Sequence, residues 1–159
     1  MNTITCFACR ASVPDIEGPT HAYMSSAPGC WATYGAFAAT AVSWDLERRW
    51  VQVRTDAYAA QHAVNADPRN RRSVVAHLMS LCAVYDLGLA PGSTTRWMGS
   101  WIERDRSYPN LTGSAARGLI TVVDVTRATD ADEYAIGDAM GWLGLDRLVR
   151  TPSTHSRTS

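Results

Sequence analysis

The sequence contains no lysine, and all fifteen of its basic residues are arginines. Without a lysine amine, Schiff-base catalysis and a Walker-type phosphate loop are both excluded, because each depends on that amine. Fifteen acidic residues balance the arginines, so the formal net charge is zero. A neutral chain has no electrostatic basis for binding nucleic acid or an anionic membrane. We therefore expect its partner to be a small molecule or another protein.

Long apolar runs are missing as well. No stretch approaches the ~20 residues of a transmembrane helix. The first ten residues, MNTITCFACR, have neither the basic leader nor the apolar core of a signal peptide. We therefore expect a cytoplasmic protein, in which clustered cysteines serve metal or redox chemistry rather than structural disulfides.

The distribution of proline, glycine and apolar residues predicts the organisation of the chain. Residues 1–28 are rich in turn formers and predict an irregular, zinc-knuckle-like lobe that binds metal, whereas residues 29–150 show helical apolar spacing. We expect one mostly α domain over residues 1–150, with about five helices. The polar tail, residues 151–159, is expected to be disordered.

Capping signals and apolar spacing place the expected helices. They are residues 29–50, 57–64 and 72–87, a short helix capped by Ser93 or Thr94 that ends near residue 104, and a last helix from Asp130 or Asp132 to about residue 148. Asp56 is the predicted N-cap of the second helix, and Gly88 closes the third. The β-prone run 119–125 is expected to be a short extended segment leading into a helical turn, because no second strand candidate exists to pair with it.

Three of the four cysteines and one of the four histidines lie within residues 6–30. Cys6 and Cys9 form a Cys-x-x-Cys pair, the first half of a zinc knuckle, in which a tight turn presents two thiolates to one ion. Zinc requires four nitrogen or sulfur ligands. The nearest candidates are His21 and Cys30, so we predict a Zn²⁺ site formed by these four residues. The alternatives for the Cys-x-x-Cys pair are thiol redox chemistry without a metal and chemically inert thiols.

Two further histidines, His62 and His77, lie on successive expected helices. His77 belongs to the apolar stripe of its helix and needs a partner if buried, because an unsatisfied buried polar group costs about 1–3 kcal/mol. Either histidine could complete the metal site in place of His21, with His77 the stronger rival. They could equally form a separate catalytic cluster with Asp56 and Tyr58. The catalytic candidates are therefore Asp56, Tyr58, His62 and His77.

Five motifs occur in the order CFACR, GPTHAY, PGCWATYG, VRTDAYAAQH and RSVVAHLMSLC. In this combination the sequence resembles an uncharacterised bacterial family catalogued as a domain of unknown function, DUF5946. The resemblance spans about residues 6–88 and continues more weakly to Trp142. It implies a small actinobacterial protein with an N-terminal CxxC lobe on a helical body, and it supplies no reaction. The family's pattern is built on Cys6, Cys9, His21, Cys30, Asp56, Tyr58, Gln61, His62 and His77.

One position departs from the family's pattern. Relatives read CxxCG, and here Arg10 stands where they have glycine. A glycine would ease the turn that follows the second cysteine. The departure therefore implies a knuckle turn of slightly different geometry.

Two functions remain open. The first is a small metalloenzyme, which the resemblance would place in actinobacterial secondary metabolism, with zinc acting as a Lewis acid or water activator. The second is a non-catalytic binding or regulatory module with a structural or redox-sensitive zinc site. The number of protein ligands distinguishes them, because a catalytic zinc keeps one position open for water. The polar groups of DAYAAQH and of the dipeptide HL, which contains His77, favour the enzyme, since a purely structural site would not require them.

Overall fold

The computed structural model describes residues 2–43, 48–62, 67–104 and 121–128. Within these ranges the chain is mostly helical, which confirms the predicted fold class. The elements are strands β1 (Thr3–Thr5) and β2 (Ser12–Pro14), followed by helices α1 (Pro28–Ser43), α2 (Arg48–Gln61), α3 (Pro68–Tyr85), α4 (Pro91–Arg104) and α5 (Val122–Ala128). The expected last helix and the tail 151–159 lie outside the described residues. The domain boundaries stay a prediction.

The N-terminal lobe contains a β-hairpin that the sequence analysis did not anticipate. β1 and β2 pair antiparallel, with Thr3 opposite Pro14 and Thr5 opposite Ser12. Each strand has only three residues, too few for an alternating pattern to identify them. Val13, in the middle of β2, is fully buried. It anchors the hairpin to the helices.

The second helix begins earlier than predicted. Because α2 starts at Arg48, the predicted N-cap Asp56 lies in the helix interior, and Trp50 belongs to α2 rather than to the first helix. No proline or glycine interrupts α2, so nothing in the sequence forces a new start at Thr55. An aspartate that resembles a cap can instead serve tertiary contacts.

The third helix has well-defined ends. The Asp67 carboxylate accepts a hydrogen bond from the Arg69 N–H, and Pro68 occupies the first helical turn. α3 therefore starts before the predicted residue 72. At the other end Gly88 adopts a φ of 66°, a left-handed conformation that glycine takes without a steric cost. α3 ends at Tyr85 with Asp86 as its C-cap, two residues before the predicted end, so Gly88 follows the cap by two positions instead of closing the helix directly.

The helical turn expected after the extended segment at residues 119–125 is present, but the prediction of extended structure is wrong from Val122 onward, where α5 already begins. The Asp124 carboxylate accepts hydrogen bonds from the Thr121 N–H and from its hydroxyl. Asp124 is the third residue of α5, and its carboxylate turns back to Thr121, the residue that caps the helix. It thereby satisfies donors of Thr121 that would otherwise lack hydrogen-bond partners. The low helix propensity of the valines is a smaller effect, so the cap determines the structure.

The helices arrange around two hydrophobic clusters. α2 packs against α3 and α4, whereas α1 packs against β2 and α5. The larger cluster joins the hairpin to α1 and α2, and it includes the three cysteines Cys6, Cys9 and Cys30. The cysteines therefore lie at the junction between lobe and body. Among the helices of the described ranges, none combines the length and the apolarity needed to cross a membrane.

Candidate metal centre

Cys6 and Cys9 lie in the turn of the hairpin. The Arg10 N–H donates to the Cys6 carbonyl at 2.9 Å, and the Cys6 N–H donates to the Ala11 carbonyl at 2.8 Å. This turn requires Arg10 to adopt a φ of 70°. The left-handed region costs an L-residue roughly 1–2 kcal/mol. Both cysteine side chains are buried by the same turn.

Arg10→Gly is expected to stabilise the protein. Glycine adopts positive φ without the Cβ penalty, and its greater freedom in the unfolded chain offsets part of the gain, so we expect about 0.5–1 kcal/mol in the free energy of unfolding. Urea denaturation measures this change. Arg10→Ala is the control, because it removes the guanidinium and keeps the Cβ. An equal gain in both variants would show that backbone strain is not the cause.

Cys30 lies at the start of α1, two residues after Pro28. The N-terminus of a helix carries unpaired N–H groups and the positive end of the helix dipole, and both favour a thiolate. Gly29 lets this end of α1 approach β2 closely, since a Cβ at that position would overlap the Pro14 carbonyl oxygen. The close approach brings Cys30 to the hairpin turn.

His62 reaches the three cysteines from the end of α2 and is fully buried. Its Nε2 lies 3.3 Å from the Cys30 Sγ and 3.8 Å from the Cys6 Sγ. Its Nδ1 lies 2.6 Å from the Tyr58 carbonyl oxygen. A carbonyl only accepts, so Nδ1 carries a proton, and Nε2 is the ring nitrogen that faces the sulfur atoms and can bind a metal ion once it has lost its own proton. Metal-bound histidines are oriented in this way.

The four donor atoms lie within 4.8 Å of one another, so the cluster could hold a metal ion. In a tetrahedral site with metal–sulfur bonds of about 2.3 Å and metal–nitrogen bonds of about 2.0–2.1 Å, neighbouring donors are roughly 3.5–3.8 Å apart. The Cys9 and Cys30 sulfur atoms are separated by 3.7 Å, and the two sulfur–nitrogen distances are 3.3 and 3.8 Å. Two of these three separations lie within the tetrahedral range, and the third, between the Cys30 Sγ and the His62 Nε2, is about 0.2 Å shorter.

Hydrogen bonds within the cluster shift the pKa values of its cysteines and histidine, and these shifts explain why a cation would be stabilised there. Hydrogen bonds from Cys30 and Cys9 lower the pKa of Cys6, whereas hydrogen bonds to Cys6 and Cys9 raise the pKa of Cys30. Burial opposes protonation of His62, but hydrogen bonds to Cys6 and Cys9 outweigh it and raise the pKa of His62 to about 9. The Cys6 thiolate is thus stabilised by hydrogen bonds, whereas Cys30 and His62 hold their protons more strongly than the free groups do. A metal ion would displace the protons of Cys30 and His62.

The structure brings together three of the predicted metal ligands, Cys6, Cys9 and Cys30, and adds His62 from the catalytic candidates. His21 lies apart from them. Its Nδ1 accepts a hydrogen bond from the Tyr23 N–H at 3.2 Å, and its ring lies 5.2 Å from that of Trp31. The roles of these residues stay predictions. A signal for His62 exists in the sequence, because it lies four residues after Tyr58 and so shares a helical face with it.

The other catalytic candidates divide between two places. Tyr58 adjoins the metal centre, and its hydroxyl donates to the Cys30 Sγ at 3.5 Å. Asp56 and His77 form a pair between α2 and α3, with 2.7 Å between the Asp56 Oδ1 and the His77 Nδ1. The Gln52 amide donates to the same oxygen at 2.6 Å. Asp56 is fully buried, and its Oδ2 has no hydrogen-bond partner among the residues that the structure describes.

His77→Ala is expected to lower stability without removing metal. The buried Asp56 carboxylate would lose a hydrogen bond, which costs about 1.5–3 kcal/mol when one partner is charged. Urea denaturation and metal analysis of the same preparation test both expectations. His77→Asn, which can keep an N–H donor near the position of Nδ1, should recover part of the loss. A folded His77→Ala protein that lacks metal would make His77 part of the centre.

Comparison with known proteins gives one match. The profile of a family described as a family of unknown function, DUF5946, matches residues 4–136. This range includes the hairpin, the four clustered Cys and His residues and all five helices described here, and it extends past the resemblance found at residues 6–88. No match was found among the curated proteins or among the solved structures.

Proposed function

We propose that this chain, which belongs to the DUF5946 family, is a zinc-binding protein whose Cys₃His site fastens the N-terminal hairpin to α1 and α2. The observation that carries the proposal is the convergence of the four donor atoms, which all lie within 4.8 Å of one another and of which three pairs, at 3.3, 3.7 and 3.8 Å, are close to the edge lengths of a zinc tetrahedron. The donor types support zinc, because thiolates and imidazole select it over magnesium and calcium, which prefer oxygen.

The number and burial of the ligands favour a structural role for the ion. Four protein ligands fill the coordination sphere of zinc, whereas a catalytic zinc keeps a position for water or substrate. None of the four is more than 5% exposed. These features support the non-catalytic binding or regulatory module over the metalloenzyme. The polar pair Asp56–His77, which had favoured an enzyme, is explained by its contacts between α2 and α3.

The N-terminal lobe has a physical need for such an ion. Its only regular structure in the described residues is a hairpin with three-residue strands, and an isolated hairpin is marginally stable at best. Residues 15–27 contain no helix or strand. Zinc contributes an apparent ~10–16 kcal/mol to the folding of zinc-finger peptides. An ion held by both lobe and body would supply the missing stability.

Metal analysis of the full-length protein, purified under reducing conditions without chelator, tests the proposal. We expect about one zinc per chain in the wild type, and strong loss in Cys30→Ser and His62→Ala. The matched control is His21→Ala, which removes a histidine from the same region of the fold but not from the cluster. Wild-type protein without stoichiometric metal would overturn the proposal. If His62→Ala retained zinc and His21→Ala lost it, the fourth ligand would be His21 instead of His62.

Zinc binding at pH 7 is expected to release protons from His62 and Cys30. The pKa of each is raised in the metal-free protein, to about 9 for His62, so each holds a proton at pH 7 that the ion must displace. Zinc affinity should therefore rise with pH toward pH 9 and fall on acidification. Calorimetry in buffers of different ionisation enthalpy measures the protons released. A binding enthalpy independent of the buffer would contradict this expectation.

A further inference from the structure

We infer that Tyr58 is a positioning residue that sets the zinc affinity and the thiolate reactivity of the metal centre by hydrogen bonding to Cys30 and by orienting His62. The inference rests on the proposed zinc-binding function. Its first basis is that Tyr58 contacts two ligands from different elements. The phenol hydroxyl donates to the Cys30 Sγ at 3.5 Å, while the backbone carbonyl accepts from the His62 Nδ1–H at 2.6 Å.

Ring stacking holds Tyr58 in place for both contacts. Its ring stacks on the His62 imidazole, with 4.0 Å between centroids and 28° between planes. On its other side the ring of Tyr34 lies 4.1 Å away at 23°. The Tyr58 side chain is 4% exposed. A ring packed between two others has little freedom to rotate its hydroxyl away from Cys30.

The hydrogen bond acts on a charge that needs stabilising. One Zn²⁺ with three thiolates and a neutral imidazole carries a net charge of about −1, and a buried charge is costly unless donors surround it. The Tyr58 hydroxyl is a donor to Cys30, and the Ala27 backbone is a donor to Cys6. Loss of the Tyr58 donor would leave more negative charge on the Cys30 sulfur, which makes a thiolate more nucleophilic.

The chain provides a matched control for Tyr58. Tyr34 stacks on the same ring, but its hydroxyl pairs with the Thr55 hydroxyl at 3.0 Å instead of with sulfur. Tyr34→Phe and Tyr58→Phe therefore remove the same atom from adjacent buried rings. Any effect that both variants share is structural. An effect confined to Tyr58→Phe reports the contact with the metal ligand.

The experiment compares wild type and both variants as full-length proteins. We expect Tyr58→Phe to weaken zinc binding ~10–100-fold in competition with a chromophoric chelator, the effect typical of partners that orient metal ligands. It should also accelerate alkylation of Cys30 by iodoacetamide in the zinc-loaded protein. In cobalt-substituted protein it should shift the thiolate-to-cobalt charge-transfer band to lower energy. Tyr34→Phe should keep the wild-type zinc affinity, alkylation rate and charge-transfer energy.

The outcomes separate this inference from the proposed function. A wild type that binds neither zinc nor cobalt overturns the function itself. A wild type that binds both, with Tyr58→Phe identical to it in affinity, band position and alkylation rate, overturns the role of Tyr58 alone. Incorporation of 3,5-difluorotyrosine at position 58 keeps the ring and strengthens its donor, so it should slow alkylation. A faster rate in that protein would also overturn the inference, whether or not Tyr58→Phe folds.

Discussion

Removal of the metal by a chelator is expected to release the N-terminal lobe, residues 2–27, while α2, α3 and α4 stay folded. The ion would be the common attachment of the hairpin, which provides Cys6 and Cys9, and of the two helices that provide Cys30 and His62. A contribution of ~10–16 kcal/mol, as in zinc-finger peptides, would exceed what the hairpin's short strands can supply. The lobe should therefore depend on the ion more than any other described segment.

The helical body has contacts that do not involve the metal centre. Val53 of α2 and Leu81 of α3 form a separate buried cluster. The Ser80 hydroxyl of α3 donates to the Thr94 hydroxyl of α4 at 3.0 Å. Because these contacts belong to a cluster separate from that of Cys6, Cys9 and Cys30, the body should keep most of its stability without metal.

Hydrogen exchange with mass spectrometry measures the two segments separately. After chelation, peptides from residues 2–27 should lose protection by at least ~100-fold, whereas peptides from α3 should change by less than ~10-fold. Cys30→Ser should reproduce this pattern without chelator. Cys82→Ser, which removes a cysteine outside the cluster, should not. Unchanged protection of the lobe would show that the ion does not fasten it, and loss of protection throughout α3 would show that body and lobe unfold together.

Three of the clustered residues were predictable from sequence because their signal is local. Cys6 and Cys9 are separated by one turn, and Cys30 follows within the same segment. The need for a fourth donor followed from the coordination number of zinc. The mostly helical fold was predictable for a similar reason, since apolar spacing within one helix is read without knowledge of its neighbours.

His62 was not assigned to the metal site because its position depends on how two helices pair. α1 and α2 run antiparallel, so that Ala38 contacts Arg54, Tyr34 contacts Tyr58, and Cys30 contacts His62. Each step of four residues along α1 is matched by a step of four back along α2. Periodicity shows that each helix has faces, but it does not show which faces meet or in which register.

Asp56 illustrates the opposite difficulty, in which a local signal is misleading. Thr55-Asp56 has the residue types of a helix start, and the preference for aspartate at such positions is real. In the structure its carboxylate accepts from Gln52, one turn earlier, and from His77 on α3. A tertiary partner that lies 21 residues away outweighs a capping preference of about 1 kcal/mol.

Gly29→Ala is expected to disrupt both the fold and the metal centre. A Cβ at this position would overlap the Pro14 carbonyl oxygen, which belongs to the backbone of β2 and cannot move as a flexible side chain does. Either β2 or the start of α1 must shift, and overpacking of this kind costs about 1–3 kcal/mol or more. The shift would also separate Cys30 from the hairpin cysteines, so zinc affinity should fall together with stability.

Gly35→Ala is the matched control, because Gly35 lies in the same helix and no atom of the described part of the chain comes within 4 Å of the added Cβ. There alanine should raise the free energy of unfolding by up to ~1 kcal/mol through its higher helix propensity, and it should leave zinc affinity unchanged. Urea denaturation and chelator competition measure the two quantities for each variant. If Gly29→Ala matched Gly35→Ala in both, the close approach of α1 to β2 would not determine the position of Cys30. If Gly29→Ala lost stability but kept wild-type zinc affinity, the metal centre would tolerate a shift of α1. The separation of 3.7 Å between the Cys9 and Cys30 sulfur atoms argues against such tolerance.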